Sequence, residues 1–361
     1  MRGDVLRRVA LALALGLTAC APAPPPAEPV VAPAPPPPPQ DFSGERAWQH
    51  LEALAGLGPR VAGSEGAARA RGYLGDALRG LGLEVTEQRA RIEPGSPERV
   101  QETVNLLAAI PGSSRDLIVL VAPYDSPLEA PGSAETDGAS GSALVLELGR
   151  ALQVRGPAYT MLLAFVEGDA LPRGAGADGL PPGSVGTGAL VAGLAAGEGL
   201  ERVRLAVRFD RVAEPDLRVA RDLLSSRALR EEFWAAARRL GHTAVFPPDV
   251  PFEAVEEGQQ AFVSSGMRRA VAIVGSRPVS GEASAEVAGR AADDGGSAAR
   301  ASLAAVGSVS LDAIVAISRR LAKIDRFAQS PISAGPGAPE PPDAAETAVE
   351  SQVDPEGSAA P

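Results

Sequence analysis

The stretch that decides the fold is Leu117-Ile118-Val119-Leu120-Val121-Ala122-Pro123-Tyr124-Asp125-Ser126. Its first five residues are apolar without interruption, which predicts a strand whose two faces are both buried in a sheet. An acid, Asp125, follows this strand closely. The same order recurs twice: Glu167 and Asp169 follow the apolar run Tyr159–Val166, and Asp210 follows Val203–Phe209. Because open α/β sheets bind ligands at the carboxyl ends of their strands, these acids indicate the candidate site.

Outward from these strands, helical and extended patterns alternate between Asp41 and Phe327. This alternation predicts an α/β domain over residues 41–328, with a mixed, mostly parallel central sheet and helices on both faces. One predicted helix ends at Gly58-Pro59, and others span Glu65–Leu81, Ser140–Leu152, Arg227–Leu240 and Ser302–Leu321; further predicted strands are Leu83–Arg91, Thr103–Ile110 and Ala270–Val274. With 361 residues, of which 45% are hydrophobic, the chain can bury one substantial core.

Residues 1–19 have the three regions of a bacterial lipoprotein signal peptide. Basic residues precede an apolar run, and the run ends in Leu17-Thr18-Ala19-Cys20. We expect Cys20, the only cysteine, to be lipidated and to attach the chain to a membrane through acyl chains. The alternative is an ordinary cleaved signal peptide with a chance cysteine. Ala21 is not the aspartate that retains lipoproteins on the inner membrane of enteric-type bacteria, so we expect a bacterial cell-envelope protein on the outer membrane, facing the periplasm.

Two further segments differ in composition from the body. Residues 20–40 are rich in proline and predict an extended polyproline II stalk behind the lipidated cysteine. Residues 329–361 are rich in proline and alanine, contain six acids and no base, and are predicted to be a disordered tail. Those six acids account for over half of the net charge of −11, so the body is mildly acidic. The body offers no basic face, and we therefore predict no nucleic-acid partner.

Short segments of the body carry a family resemblance when they are taken in order. They include Leu57-Gly58-Pro59-Arg60, Asn105-Leu106-Leu107-Ala108, the stretch from Ala122 to Ser126, Asp137-Gly138-Ala139-Ser140-Gly141, Phe165-Val166-Glu167-Gly168-Asp169-Ala170 and Phe209-Asp210. Over residues 45–321 the chain resembles the zinc aminopeptidases of metallopeptidase family 28, and especially their bacterial glutaminyl-peptide cyclotransferase-like branch. The resemblance implies the zinc-exopeptidase architecture.

The resemblance also implies a set of site residues. In active relatives, acids and histidines hold zinc and a glutamate is the general base. Carried over position by position, Asp137 is a vestigial metal ligand, Asp169 has the general-base position, and Asp210 is the catalytic and metal-site aspartate at a later strand end. Three positions have lost their ligand: Pro123 and Arg290 stand in place of histidines, and Ala170 in place of a glutamate.

Zinc prefers nitrogen and sulfur ligands, so we predict a degraded zinc site and no cofactor, with zinc only if the site is functional. Four aspartates (Asp125, Asp137, Asp169 and Asp210) would then converge without a metal, and like charges in one cleft raise each other's pKa. We hypothesise that Arg290 or a neighbouring arginine pairs with Asp137 and Asp210. A hard cation such as calcium or magnesium is the alternative.

The two histidines, His50 and His242, are interpreted as surface or packing residues.

For function, the sequence favours a non-catalytic envelope lipoprotein whose cleft binds a peptide or whose domain scaffolds an envelope protein. The alternative is an active metal-dependent aminopeptidase or glutaminyl-peptide cyclotransferase with substituted ligands, which the retained acids keep open. In a third interpretation the stalk and the acidic tail make the interactions, and the cleft has no role.

Overall fold

The structure is a computed structural model that describes residues 41–91, 102–127, 138–170, 184–197, 199–250, 252–253, 257–276 and 295–329. All of these residues belong to one unit, which spans residues 39–361. The predicted signal peptide, the stalk with Cys20 and the tail beyond Gln329 lie outside the described residues. So do two of the predicted site residues, Asp137 and Arg290.

The strands of the described part form one large sheet and one small one. They are β1 (Val85–Arg91), β2 (Glu102–Ile110), β3 (Ser114–Pro123), β4 (Tyr159–Val166), β5 (Val203–Asp210), β6 (Arg221–Asp222), β7 (Phe252–Glu253) and β8 (Ala270–Val274). The large sheet has the order β1-β2-β4-β3-β5-β8, and β6 pairs with β7. β3, β4, β5 and β8 run parallel to one another, whereas β2 runs antiparallel to both of its neighbours, β4 and the edge strand β1. The predicted mixed, mostly parallel sheet is therefore confirmed.

The described helices include all those predicted and two more. They are α1 (Gly44–Ala55), α2 (Glu65–Gly80), α3 (Ala139–Arg155), α4 (Val185–Ala196), α5 (Arg227–Leu240), α6 (Glu257–Ser264) and α7 (Gly295–Gln329), with a short 3-10 turn at Leu200–Arg202. Two begin at serine caps: Ser43 Oγ accepts from the Arg46 N–H at 3.3 Å, and Ser64 Oγ from the Ala67 N–H at 3.2 Å. The sequence analysis missed α4 and α6. α4 is apolar on all sides and so lacks the amphipathic period that marks a surface helix.

Helices cover the central strands on both faces. Ile118 and Leu120 of β3 pack in one buried cluster with α1, α2, α3, α5 and α7, while Val119 and Val121 pack in a second cluster with α4 and α6. The stretch Leu117–Val121 is thus buried on both sides, as its composition predicts. This burial fixes the carboxyl ends of β3, β4 and β5 at one edge of the sheet.

α7 is the one helix in the described ranges that is long and apolar enough to cross a membrane. The segment in question is Gly296–Phe327, and 67% of its most apolar window is buried inside the fold. Leu303, Val306 and Ile314 of this helix belong to the larger core cluster. We therefore describe α7 as a core helix.

Candidate functional site

The acids predicted from the sequence do lie at one edge of the sheet. Asp125 follows β3, Glu167 and Asp169 follow β4, and Asp210 is the last residue of β5. These three parallel strands are neighbours in the order β4-β3-β5. Their carboxyl ends therefore bring the four side chains to a common region.

Asp125 is buried and holds the turn after β4 in place. Its Oδ2 accepts hydrogen bonds from the backbone N–H groups of Gly168 (3.0 Å) and Ala170 (3.1 Å), while its Oδ1 has no hydrogen-bond partner. The pKa of this carboxyl is raised to about 8: burial is the largest cause, the nearby charges of Asp169 and Glu167 add to it, and the two backbone hydrogen bonds act in the opposite direction. Burial among other acids therefore favours the neutral form of Asp125.

Glu167 has a structural role, because its carboxylate binds backbone and side-chain donors from three segments. Its Oε1 accepts from the Gly63 N–H at 2.9 Å, and its Oε2 accepts from the Val104 N–H at 2.7 Å and from the Tyr124 hydroxyl at 3.0 Å. Burial, together with the neighbouring Glu167 charge, raises the pKa of Tyr124. This carboxylate joins the turn before α2, strand β2 and the residue that follows β3, and it accepts three hydrogen bonds.

Asp169, which the family resemblance assigns to the general-base position, is bound by an arginine that lies two strands away. Arg208 Nη1 donates to Asp169 Oδ2 at 2.6 Å, and both side chains are almost fully buried. Thr187, in the first turn of α4, also binds this carboxylate: its N–H donates to Oδ1 at 2.9 Å and its hydroxyl to Oδ2. Asp169 therefore caps the start of α4, where a negative charge is stabilised by the helix dipole.

Asp210 completes the same ionic group. Arg208 Nη2 lies 3.5 Å from Asp210 Oδ2, and the Arg211 N–H donates to Asp210 Oδ1 at 2.9 Å. The Asp210 side chain keeps 11% of its surface exposed, more than Asp169 or Arg208. One guanidinium thus bridges two of the predicted site acids, and we call the set Arg208, Asp169, Asp210 and Thr187 the arginine cluster.

A glycine in α6 makes room for the arginine cluster. A Cβ atom added to Gly258 would lie 2.7 Å from Arg208 Cζ and 2.8 Å from its Nη1. Any larger residue at this position would displace the guanidinium from its two carboxylates. Gly258 and Arg208 therefore fit together as a pair, and Phe262, one turn further along α6, is buried in the core.

Two of the predicted ligand positions at this edge have no side chain that could bind zinc. Pro123 ends β3 and has no side-chain donor, and the same is true of Ala170 after β4. No group of three or more His, Cys, Asp or Glu in the described ranges could hold a metal ion. The two retained carboxylates that could act as ligands, Asp169 and Asp210, are paired with a cation of the chain itself. Asp137 and Arg290 lie outside the described residues, so the predicted pairing of Arg290 with Asp137 stays a prediction.

The two histidines lie in other parts of the fold. His50 Nδ1 is 2.7 Å from the Tyr73 hydroxyl, which joins α1 to α2, and burial lowers the pKa of His50. His242 follows the end of α5, where its backbone N–H donates to Ala237 O at 2.8 Å. Neither residue lies beside the acids.

Sequence reasoning missed Arg208 and Thr187. One signal was available, since Arg208 interrupts the otherwise apolar end of the run Val203–Phe209, and a basic residue in a buried strand needs a partner. Thr187 carried no comparable signal. Its role follows from α4, which the sequence pattern did not predict.

The fold and this edge define a class of protein, the zinc-exopeptidase-like α/β domains. A sequence model of Peptidase family M28 matches residues 105–273, which include most of β2 and β8, all of the strands between them and the whole arginine cluster. The resemblance inferred from the sequence is thus confirmed, and the chain contains an M28-like domain. A comparison with curated protein sequences gives no match.

Solved structures give the same result for the fold. A glutaminyl cyclase from an Acidobacteriales bacterium is 24% identical, covers 80% of this chain and 99% of its own, and has a TM-score of 0.63. A glutaminyl cyclase from Bacteroides thetaiotaomicron, bound to N-acetylhistamine, is 18% identical over 76% of this chain and 98% of its own (TM-score 0.64). A leucine aminopeptidase precursor from the same species is 17% identical over 76% and 97% (TM-score 0.64).

Proposed function

We propose that this chain is a bacterial envelope lipoprotein whose M28-like domain binds a peptide or scaffolds an envelope protein without catalysing hydrolysis or cyclisation. The observation that carries the proposal is the occupancy of the Asp169 carboxylate. A general base needs a free lone pair within reach of the proton it removes. Asp169 accepts from Arg208 and from both donors of Thr187, so three of its about four acceptor positions are occupied, and the ion pair with Arg208 lowers its basicity.

The charge balance supports the same conclusion. Arg208 supplies a positive charge between Asp169 and Asp210, where the relatives of this class are expected to use a metal ion. A guanidinium is a fixed charge that cannot act as a Lewis acid or activate water. The cluster therefore stabilises the edge of the sheet and supplies no electrophile.

An active metal-dependent aminopeptidase or glutaminyl-peptide cyclotransferase is the alternative. The retained acids Asp137, Asp169 and Asp210 favour it, as do the glutaminyl cyclases and the aminopeptidase among the structural neighbours. In this alternative a metal would have to displace Arg208 from both carboxylates. The two functions differ in a measurable way, because only the second requires bound metal.

Metal content and turnover test the proposal together. The purified chain is dialysed against zinc, analysed for metal, and assayed for cyclisation of glutaminyl peptides and for release of amino acids from peptide amides. We expect less than stoichiometric zinc and no turnover above the level of an Asp210→Asn variant. Stoichiometric zinc with turnover that Asp210→Asn abolishes, and that the exposed control Asp249→Asn retains, would overturn the proposal.

The lipoprotein part of the proposal rests on Cys20 and Ala21. We expect Cys20→Ala to abolish incorporation of a labelled fatty acid and to release the protein from the outer-membrane fraction. Ala21→Asp should keep the label and move the protein to the inner membrane. Labelling that persists in Cys20→Ala would refute lipidation at this residue.

A further inference from the structure

A cavity lies beside the amino-terminal ends of β3 and β4, at the opposite end of these strands from the arginine cluster. It encloses about 660 Å³ between the face of β1, β2, β4 and β3 on one side and α4 on the other. Leu107, Ala109, Leu117 and Leu162 of the sheet form an apolar floor, and Leu190 and Leu194 of α4 line the other side. The size and the apolar lining fall in the range of small-molecule sites.

The cavity exists because α4 covers only part of the sheet. The helix is held close to β1, where Gln88 Nε2 donates to Ala189 O at 2.8 Å and a Cβ added at Gly193 would lie 2.3 Å from that nitrogen. Beyond it, Leu107 and Leu162 are only half-buried and Ala109 is exposed, although β2 and β4 are interior strands of the sheet. Interior strands are normally covered on both faces, so an apolar floor that the described residues leave partly exposed either binds a partner or lowers stability.

The charges around the cavity favour an anion at one end. Arg115 and Arg202 stand together there, and Arg202 Nη2 donates to Arg115 O at 2.5 Å. Arg202 also lies 3.8 Å from Asp116. The one acid of the lining, Glu87, is paired with Arg89. Within the described ranges the Arg115 guanidinium has no ion pair, which leaves one uncompensated positive charge at the end of an apolar floor.

We propose that this cavity binds a long-chain carboxylate, with its alkyl chain on the leucine floor and its carboxylate at Arg115 and Arg202. Such a molecule is apolar along its length and carries one negative charge at one end, which matches the distribution of the lining. A sugar or a nucleotide would leave its hydroxyl or base groups unpaired against leucine side chains. A planar guanidinium pairs with a carboxylate through two parallel hydrogen bonds. The site shares no residue with the arginine cluster, so the proposal does not depend on whether that cluster is catalytic.

Titration of a fluorescent eighteen-carbon polyene carboxylate into the chain from Ala21 to Pro361, without detergent, tests the proposal. We expect saturable binding that dodecanoate displaces. Arg115→Glu should weaken binding about tenfold, because it removes one charge-assisted contact and introduces repulsion. Ala109→Phe, which fills an exposed position of the floor, should weaken it by a similar factor. Arg268→Glu, at an exposed arginine outside the cavity, is the matched control and should bind like the parent chain.

Several outcomes would overturn the proposal. One is a lack of saturable binding in the parent chain; another is equal affinity of the parent and Arg115→Glu for the carboxylate. Equal displacement by dodecanol and dodecanoate would exclude a role for the arginines. If removal of residues 330–361 raises the affinity for the probe, the natural occupant is the chain's own tail. If Ala109→Phe and Arg115→Glu change the urea midpoint of unfolding, Leu162→Met is tested in their place, because it alters the floor at nearly constant volume. It should change the affinity for the fluorescent carboxylate while the protein stays folded.

Discussion

Arg208 Nη1 lies 2.6 Å from Asp169 Oδ2, although the two residues belong to strand ends that are separated by β3. Because both side chains are buried, neither can exchange its partner for water. The pair therefore behaves as a fixed structural ion pair. Asp210 also contacts Arg208, and the Thr187 hydroxyl donates to Asp169.

Removal of the arginine should be costly. Arg208→Met leaves Asp169 and Asp210 as two buried or half-buried carboxylates without a cation, so we expect the free energy of unfolding to fall by about 3–5 kcal/mol. Urea denaturation followed by circular dichroism measures this change. Arg268→Met, at an exposed arginine, is the control and should change stability by less than about 0.5 kcal/mol. A loss equal to that of the control would mean that Arg208 does not neutralise these acids.

Gly258 and Arg208 should be energetically coupled. Gly258→Ala places a methyl group against the guanidinium, and we expect a loss of about 1–3 kcal/mol in the parent chain. In the Arg208→Met background the same substitution should cost less, since the fixed guanidinium is gone; the difference is the coupling energy of a double-mutant cycle. Gly72→Ala is the control, because Gly72 lies within α2 and an added Cβ has no neighbour within 4 Å. It should be neutral or stabilising by up to about 1 kcal/mol. Additive losses for Gly258→Ala and Arg208→Met would contradict the pairing.

Asp125 should make stability depend on pH. Its pKa in the folded state is raised to about 8, above the value of an unfolded aspartate, so the folded state binds more protons between these two values. The stability that this group contributes is therefore complete at acid pH and is lost as pH rises towards 8. We expect its contribution to fall by about 1 kcal/mol per pH unit over about pH 5 to 8.

Asp125→Asn keeps an acceptor for the N–H groups of Gly168 and Ala170 and removes the ionisation. Its free energy of unfolding, measured by urea titration at several pH values, should lose this slope and exceed that of the parent chain above about pH 8. Asp249→Asn, at an exposed carboxyl, should follow the parent. Parallel pH curves for Asp125→Asn and the parent chain would show that Asp125 ionises normally.

The Thr187 hydroxyl should stabilise the folded state through its hydrogen bond to Asp169. Thr187→Val keeps the backbone N–H that donates to Asp169 but removes the hydroxyl that binds Asp169 and accepts from Arg208. We expect a loss of about 1–3 kcal/mol in thermal or urea unfolding. Thr243→Val, at an exposed threonine, should change stability by less than about 0.5 kcal/mol. If both variants unfold alike, the hydroxyl contributes nothing to the cluster.

The sequence predicted the strands and the edge well for a local reason. A strand that is buried on both faces must be apolar at nearly every position, so runs such as Leu117–Val121 and Tyr159–Val166 can be recognised from their own residues alone. The serine caps of α1 and α2 are likewise local. α4 escaped prediction because a helix that is apolar on all sides carries no period that separates it from other buried segments.

The sequence by itself therefore determined where along the chain the buried strands lie and which acids follow them. It also determined that Pro123 and Ala170 have no side chain that could bind a metal. What the tertiary structure decided is which cation meets those acids. Arg208 reaches Asp169 only because β5 and β4 flank β3 in register, and because Gly258 of α6 leaves space for the guanidinium. The order of the strands within the sheet and the placement of the helices depend on contacts between residues that are distant in sequence. No local pattern of side chains specifies such contacts.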